Sequence, residues 1–252
     1  MNQMIDYTRK VVILPDPAAL AAAAADQFVQ LAQAAVEKNG RFSVALAGGS
    51  TPQGTYRLLA QPPRKALVDW SSVHVFWGDE RFVPPDNPDN LWRMAQETFL
   101  ADVPIPAANI YPMPTVGLTP EAAAAQYAQT LTDFFAPGPV RFDLILLGMG
   151  DDGHTASLFP GKPSLRETKL VVSVQNAPKP PPTRLTLTYT AINQAANVLF
   201  LVTGKDKATA VSQVLGSGPS ESKMINWPAR GVVLENGRLL WLLDQAAAKK
   251  VA

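Results

Sequence analysis

A carboxylate and an imidazole two positions apart, Asp152 and His154, stand in the run "GMGDDGHT" at 148–155. On a glycine-rich loop that pair suits general-base catalysis, because an acid can orient the ring and leave its other nitrogen to take a proton from water. From the residues alone a second reading stays open, an N-capping Asp beside a structural His. The other His of the chain, His74, lies inside the apolar run "VHVFW" and reads as structural. The same loop matches the dinucleotide fingerprint G-x-G-x-x-G after a strand-like apolar run. Charge argues against that cofactor reading, since Asp151 and Asp152 would repel a pyrophosphate laid against the turn. The acid expected at the end of the next strand is also missing, with Gln175 and Asn176 in its place. No G-x-S-x-G elbow occurs, so acyl-enzyme chemistry on a Ser has little support.

Three further clusters hold groups of a different kind. In "GGSTP" at 48–52, Gly48 and Gly49 let the backbone approach an anion, while Ser50, Thr51 and a helix opening at Pro52 offer hydroxyls and free N–H groups. The plainer reading is a strand-to-helix turn with Thr51 as N-cap. Lys205 in "TGKDK" and Arg184 after the run "APKPPP" favour a phosphate site, which wants one or two cations beside its amides. In "GDER" at 78–81, Asp79, Glu80 and Arg81 read either as a surface ion-pair set or, shielded by Phe76, Trp77 and Phe82, as a site where Arg81 stabilises a carbonyl oxygen gaining charge. A two-carboxylate glycosidase on Asp79 and Asp152 would need a separation that the sequence does not fix.

The elements that must position these groups follow from periodicity. Asp16 and Pro17 open a helix whose apolar residues Leu20, Phe28, Leu31 and Ala35 recur at helical spacing up to Gly40. The spacing then predicts strands at 42–47, 73–77, near Ile110, and at 142–147, 171–174, 184–188 and 198–203, with helices at about 90–100, 120–135 and 206–215. Strands alternating with helices imply an α/β, mostly parallel, Rossmann-like sheet flanked by helices. Asn236-Gly237 between Val232–Leu234 and Leu239–Leu243 predicts a C-terminal hairpin. The proline run reads as a stiff loop within one domain spanning 1–252. In an open parallel sheet the carboxyl ends of strands face one crevice, so the four polar clusters can meet there.

Composition narrows the partners. The 252 residues carry a net charge of +1 with no Lys/Arg run beyond a pair, which argues against nucleic acid. The absence of Cys excludes disulfides and thiolate chemistry. No apolar stretch approaches a membrane span and the first residues lack a signal h-region, so a cytoplasmic protein is expected.

The segments "ALAGGSTP", "FWGDERFVPPDNPDNLWRMAQETF", "FDLILLGMGDDGHTASLFPG", "RLTLTYTAIN" and "VLFLVTGKDKA" together resemble the 6-phosphogluconolactonase family, within a superfamily that includes glucosamine-6-phosphate deaminase. The resemblance covers 45–208 in order. It implies a Rossmann-like fold and hydrolysis of 6-phosphoglucono-δ-lactone in the oxidative pentose phosphate pathway, without metal or organic cofactor, by a monomer or weak homodimer. Carried over by motif position, His154 would activate water, Asp152 would hold its ring, Asp79 and Arg81 would face substrate, and Ser50, Thr51, Arg184 and Lys205 would bind phosphate. Deaminases carry a Glu at the fifth position after the His, where this chain has Phe159, and an F-N-M-D-E-Y segment where it has "FWGDER". A non-catalytic sugar-phosphate sensor would keep the cradle and could dispense with Asp152 and His154.

Overall fold

The computed structural model describes residues 9–216 and 224–251. Its strands are β1 (Arg9–Leu14), β2 (Phe42–Leu46), β3 (Val73–Trp77), β4 (Asp79–Arg81), β5 (Leu144–Leu147), β6 (Val171–Val174), β7 (Arg184–Leu187), β8 (Asn197–Val202) and β9 (Arg238–Asp244). The α-helices are α1 (Pro17–Asn39), α2 (Ser50–Leu59), α3 (Arg64–Leu67), α4 (Leu91–Thr98), α5 (Pro120–Phe135), α6 (Tyr189–Ile192) and α7 (Ala208–Leu215). Six strands form one parallel sheet in the order β1-β9-β8-β5-β2-β3, and three form an antiparallel sheet in the order β4-β7-β6.

Local chemistry explains most boundaries. Asp16 Oδ1 accepts from the Ala19 N–H at 2.8 Å to cap α1, and Gly40 ends that helix in the left-handed conformation. Thr119 caps α5 in the same way, accepting from Ala122 N–H at 3.2 Å. The central strands β2 and β5 are buried at every position, which is why they read as continuous apolar runs. Phe28, Phe42, Tyr56, Trp77, Phe99 and Phe142 lie in one apolar core with strand residues from both halves of the chain.

Two expectations are corrected. The C-terminal hairpin does not form: Val232–Leu234 lie in no strand, and β9 instead enters the sheet parallel to both β8 and β1. The slot between β1 and β8 is one strand wide, and β9 is apolar enough on both faces to fill it, with Trp241 stacked on Phe200 at 3.7 Å. Asn193 holds the approach, its Oδ1 accepting from Val233 N–H and its backbone oxygen from Glu235 N–H. Secondly, the "GDER" cluster, expected on the loop after the strand at 73–77, is itself partly a strand, since Asp79–Arg81 form β4 of the antiparallel sheet, paired with β7. Gly78 is the junction: its N–H donates to Leu46 of the main sheet, and its carbonyl accepts from Leu187 of the second. β1, a short apolar run that ends at Pro15, is a strand that the periodicity reading did not include. The expected strand near Ile110 reduces to a single bridge to Val75.

Candidate active site

The carboxyl ends of β2, β5 and β8 and the start of β4 open onto one cleft of about 290 Å³, enough for one small polar molecule. Gly48, Gly49, Ser50 and Thr51 line one wall, Asp79, Arg81 and Arg184 another, and His154 a third. Asp152 stands behind the imidazole. Its Oδ1 accepts from His154 Nδ1 at 2.6 Å and from the His154 backbone N–H at 3.1 Å. A proton on Nδ1 leaves the lone pair on Nε2, the arrangement a base needs. Phe159, 1% exposed, lies against the ring at 4.6 Å between centroids.

Burial by itself would raise the Asp152 carboxyl, but the hydrogen bonds and charge of His154 outweigh it and hold the group at about 2. A depressed carboxyl pKa stabilises the fold above its unfolded value of 3.8, and the contribution is lost as pH falls through about 2. Asp152→Asn should therefore be less stable than the parent by no more than about 2 kcal/mol above pH 4, with the gap closing toward pH 2. Urea unfolding across that range measures it, and a gap that does not change with pH would contradict the pairing.

The glycines that mimicked a dinucleotide fingerprint have another cause. A Cβ on Gly150 would sit 2.1 Å from His154 Nδ1 and 2.5 Å from Asp152 Oδ1, so only hydrogen fits behind the pair. Gly153 has φ +75° and packs on Trp227, whose Cε3 would lie 2.7 Å from a Cβ there. Gly150→Ala should displace the dyad and lower turnover by about 10- to 100-fold in a folded protein, given the sensitivity of reacting geometry to shifts near 1 Å. Turnover at the parent rate would show that the dyad geometry is not needed.

The cradle is built by α2. Its first residue is Ser50 and its N-cap is Gly49, which supplies no side-chain cap. Thr51 is thus not the N-cap but sits in the first turn, where its Oγ1 meets Thr203 Oγ1 at 2.8 Å and ties the ends of β2 and β8 together. Helix N-terminal amides and paired hydroxyls together suit an anion.

The cations are arranged differently from the expectation. Lys205 is exposed and is not part of the cleft wall; Lys207, at the other end of the same 3-10 turn, lines it and pairs with Asp206 at 3.0 Å. Over such a turn, residues two apart point to different sides, which the sequence could not resolve. Lys179 also lines the cleft, held by Asp151. The sequence offered no signal for it beyond its place in the proline run. Arg184 lines the cleft, but its Nε donates to Pro181 O at 2.6 Å and its Nη2 to the Lys179 and Pro180 carbonyls, so it also fastens the proline strap that carries Lys179.

Arg184 stands directly across from Arg81 in the β4–β7 register. Burial first, and then the Arg81 charge, push Arg184 down from its usual value. Two guanidiniums in cross-strand opposition repel, and an anion or developing oxyanion between them would relieve that cost. Asp79 is 7% exposed and accepts from Ser157 Oγ at 2.7 Å, a partner the sequence did not single out.

Residues 15–241 match the family model described as glucosamine-6-phosphate isomerases/6-phosphogluconolactonase. The chain belongs to that family. It is 41% identical over 247 residues to the 6-phosphogluconolactonase of Nostoc sp., covering 97% of this chain and 99% of the relative. It is 42% identical over 249 residues to that of Mycobacterium leprae, covering 96% and 98%. The solved structure of 6-phosphogluconolactonase from Trypanosoma brucei superposes with a TM-score of 0.81 at 33% identity, over 97% of this chain and 99% of that one. Within the glucosamine-6-phosphate isomerase/6-phosphogluconolactonase family, this chain thus sets its Asp152–His154 pair and its glycine cradle on one cleft.

Proposed function

We propose that the chain hydrolyses 6-phospho-D-glucono-1,5-lactone to 6-phospho-D-gluconate, the lactone-opening step of the oxidative pentose phosphate pathway, with His154 as general base. The observation that carries this reading is the Asp152-oriented imidazole on the same cleft as the Gly49–Thr51 cradle. The names of the relatives support it. In this mechanism the phosphate rests on the α2 amides and the Thr51 and Thr203 hydroxyls, with Lys207 and Lys179 nearby. His154 Nε2 takes a proton from water, whose oxygen bonds to the lactone carbonyl carbon. The carbonyl oxygen gains the charge, and Arg81 is placed to stabilise it. As the carbonyl re-forms, the bond to the ring oxygen breaks and the imidazolium returns its proton there.

The isomerase reading needs an acid beside the imidazole for ring opening. The side chain at the relevant position is Phe159, buried and apolar, which speaks for the lactonase. The purified chain should accelerate 6-phosphogluconate formation from freshly generated lactone far above spontaneous hydrolysis, and release no ammonia from glucosamine 6-phosphate. Lactone decay at the spontaneous rate would overturn the proposal.

A further inference from the structure

Successive side chains of a strand face opposite ways, and in β4 the outer two, Asp79 and Arg81, line the cleft. Glu80 between them turns away from it and is 1% exposed. Its Oε1 accepts from the Leu91 and Arg81 N–H groups, each at 2.7 Å, and its Oε2 from Trp92 N–H at 2.9 Å. Leu91 and Trp92 open α4, whose own N-cap, Asn90, already accepts from Arg93 N–H at 3.0 Å. The helix therefore has an ordinary cap of its own. Glu80 adds a second one from another sheet, at the expense of burying a carboxylate.

We propose that Glu80 is a positioning residue for Asp79 and Arg81, bolting β4 to the first turn of α4 so that both side chains meet the substrate at a fixed height. The inference rests on the lactonase reading above. Arg81 has few restraints of its own: Nη1 reaches the Asp89 carbonyl at 3.3 Å, and Nε is buried without a partner. Its backbone must then set where the guanidinium lies, and Glu80 grips that backbone at Arg81 N–H. The ionisable groups whose charge or titration couples to the Glu80 carboxylate are Asp79, Arg184 and Tyr127, whereas Arg81 meets it through its backbone N–H. Burial is the main cause that pushes the carboxyl up to about 7, against its three N–H donors. A buried acid this far from its ordinary value is an expensive helix cap, and a neutral acceptor would serve a helix alone.

Glu80→Gln keeps size and one acceptor oxygen but turns an amide toward Trp92 N–H. Turnover of 6-phosphogluconolactone is measured beside thermal unfolding, with Asn90→Ala as a control that weakens the same helix without touching β4. The expected result is kcat lowered by about 10- to 100-fold in Glu80→Gln, with KM changed less than about threefold, because the reacting end and not the phosphate end is misplaced. Asn90→Ala should lose stability yet keep kcat within about threefold. Parent-level kcat in folded Glu80→Gln, or an equal kcat loss in Asn90→Ala, overturns the proposal. If Glu80→Gln does not fold, Glu80→Asp, which keeps the charge but shortens the reach, is judged by the same criteria. The parent's own turnover tests the lactonase reading separately, and if it fails, hydrogen exchange still decides whether Glu80 holds β4 to α4: the Trp92 amide, which would face the new amide group, should lose protection in Glu80→Gln, and unchanged protection there would overturn the bolt.

Discussion

His154→Ala is expected to lower kcat for lactone hydrolysis by about 10²- to 10⁴-fold, the usual cost of losing a general base, while the protein stays folded. The loop does not depend on the imidazole for its shape. Gly150 N–H donates to the His154 backbone carbonyl, Gly153 N–H to Gly150, Ala229 N–H to Gly153, and Thr155 Oγ1 to the Gly148 carbonyl, and all of these survive the substitution. What is lost is the proposed base, together with the partner that lowers the Asp152 carboxyl. Because the cradle is untouched, KM should move little while kcat falls, the pattern of an interaction made chiefly in the transition state. Coupled detection of 6-phosphogluconate, corrected for spontaneous opening, measures both constants. A folded variant with kcat near that of the parent would remove His154 from the mechanism.

The second large effect concerns the anion remote from the reacting carbonyl. Glucono-δ-lactone without its phosphate should be a far poorer substrate, since an imidazole alone would serve either lactone. The cleft is also lined by the N-terminus of α2, the Thr51–Thr203 hydroxyl pair and Lys207, the groups proposed to hold the phosphate. Each charge-assisted hydrogen bond to a phosphate contributes roughly 1.5–3 kcal/mol, so the loss of several should cost orders of magnitude in kcat/KM. Part of the loss should fall on kcat, because binding at the phosphate holds the carbonyl carbon against the base. The two lysines of the 3-10 turn make the test sharp. Lys207→Ala should cost roughly 10- to 100-fold on the phosphorylated lactone and almost nothing on the other. Lys205→Ala, outside the cleft wall, should leave both within about twofold. Equal efficiency of the parent on the two lactones would sink the phosphate assignment, and a larger effect from Lys205 than from Lys207 would reverse the placement of the cation.

Much of this arrangement is written in local sequence. The caps Asp16 and Thr119 and the apolar runs of β2, β3, β5 and β8 declare their elements, because capping hydrogen bonds and two-sided burial act over a few residues. Once the strands are parallel, their carboxyl ends must share an edge, so the convergence of "GGSTP", "GDER" and "GMGDDGHT" on one cleft was legible before any coordinate. The Asp152–His154 pair was legible for the same reason, being local in the chain. The rest was decided by contacts between residues distant in sequence. Asn236-Gly237 has the chemistry of a hairpin turn, but the open slot between β1 and β8 buries more of β9 than a hairpin could. The antiparallel sheet arises because Gly78 redirects the chain from β3 to pair with β7, about a hundred residues later, which no local pattern encodes. Whether Lys205 or Lys207 faces the cleft depends on the rotation of one short turn, fixed by Asp244 accepting from the Gly204 N–H across forty residues of chain. Local hydrogen bonding and hydrophobic period thus determined which groups were available and roughly where, whereas long-range packing decided which side chains line the cleft.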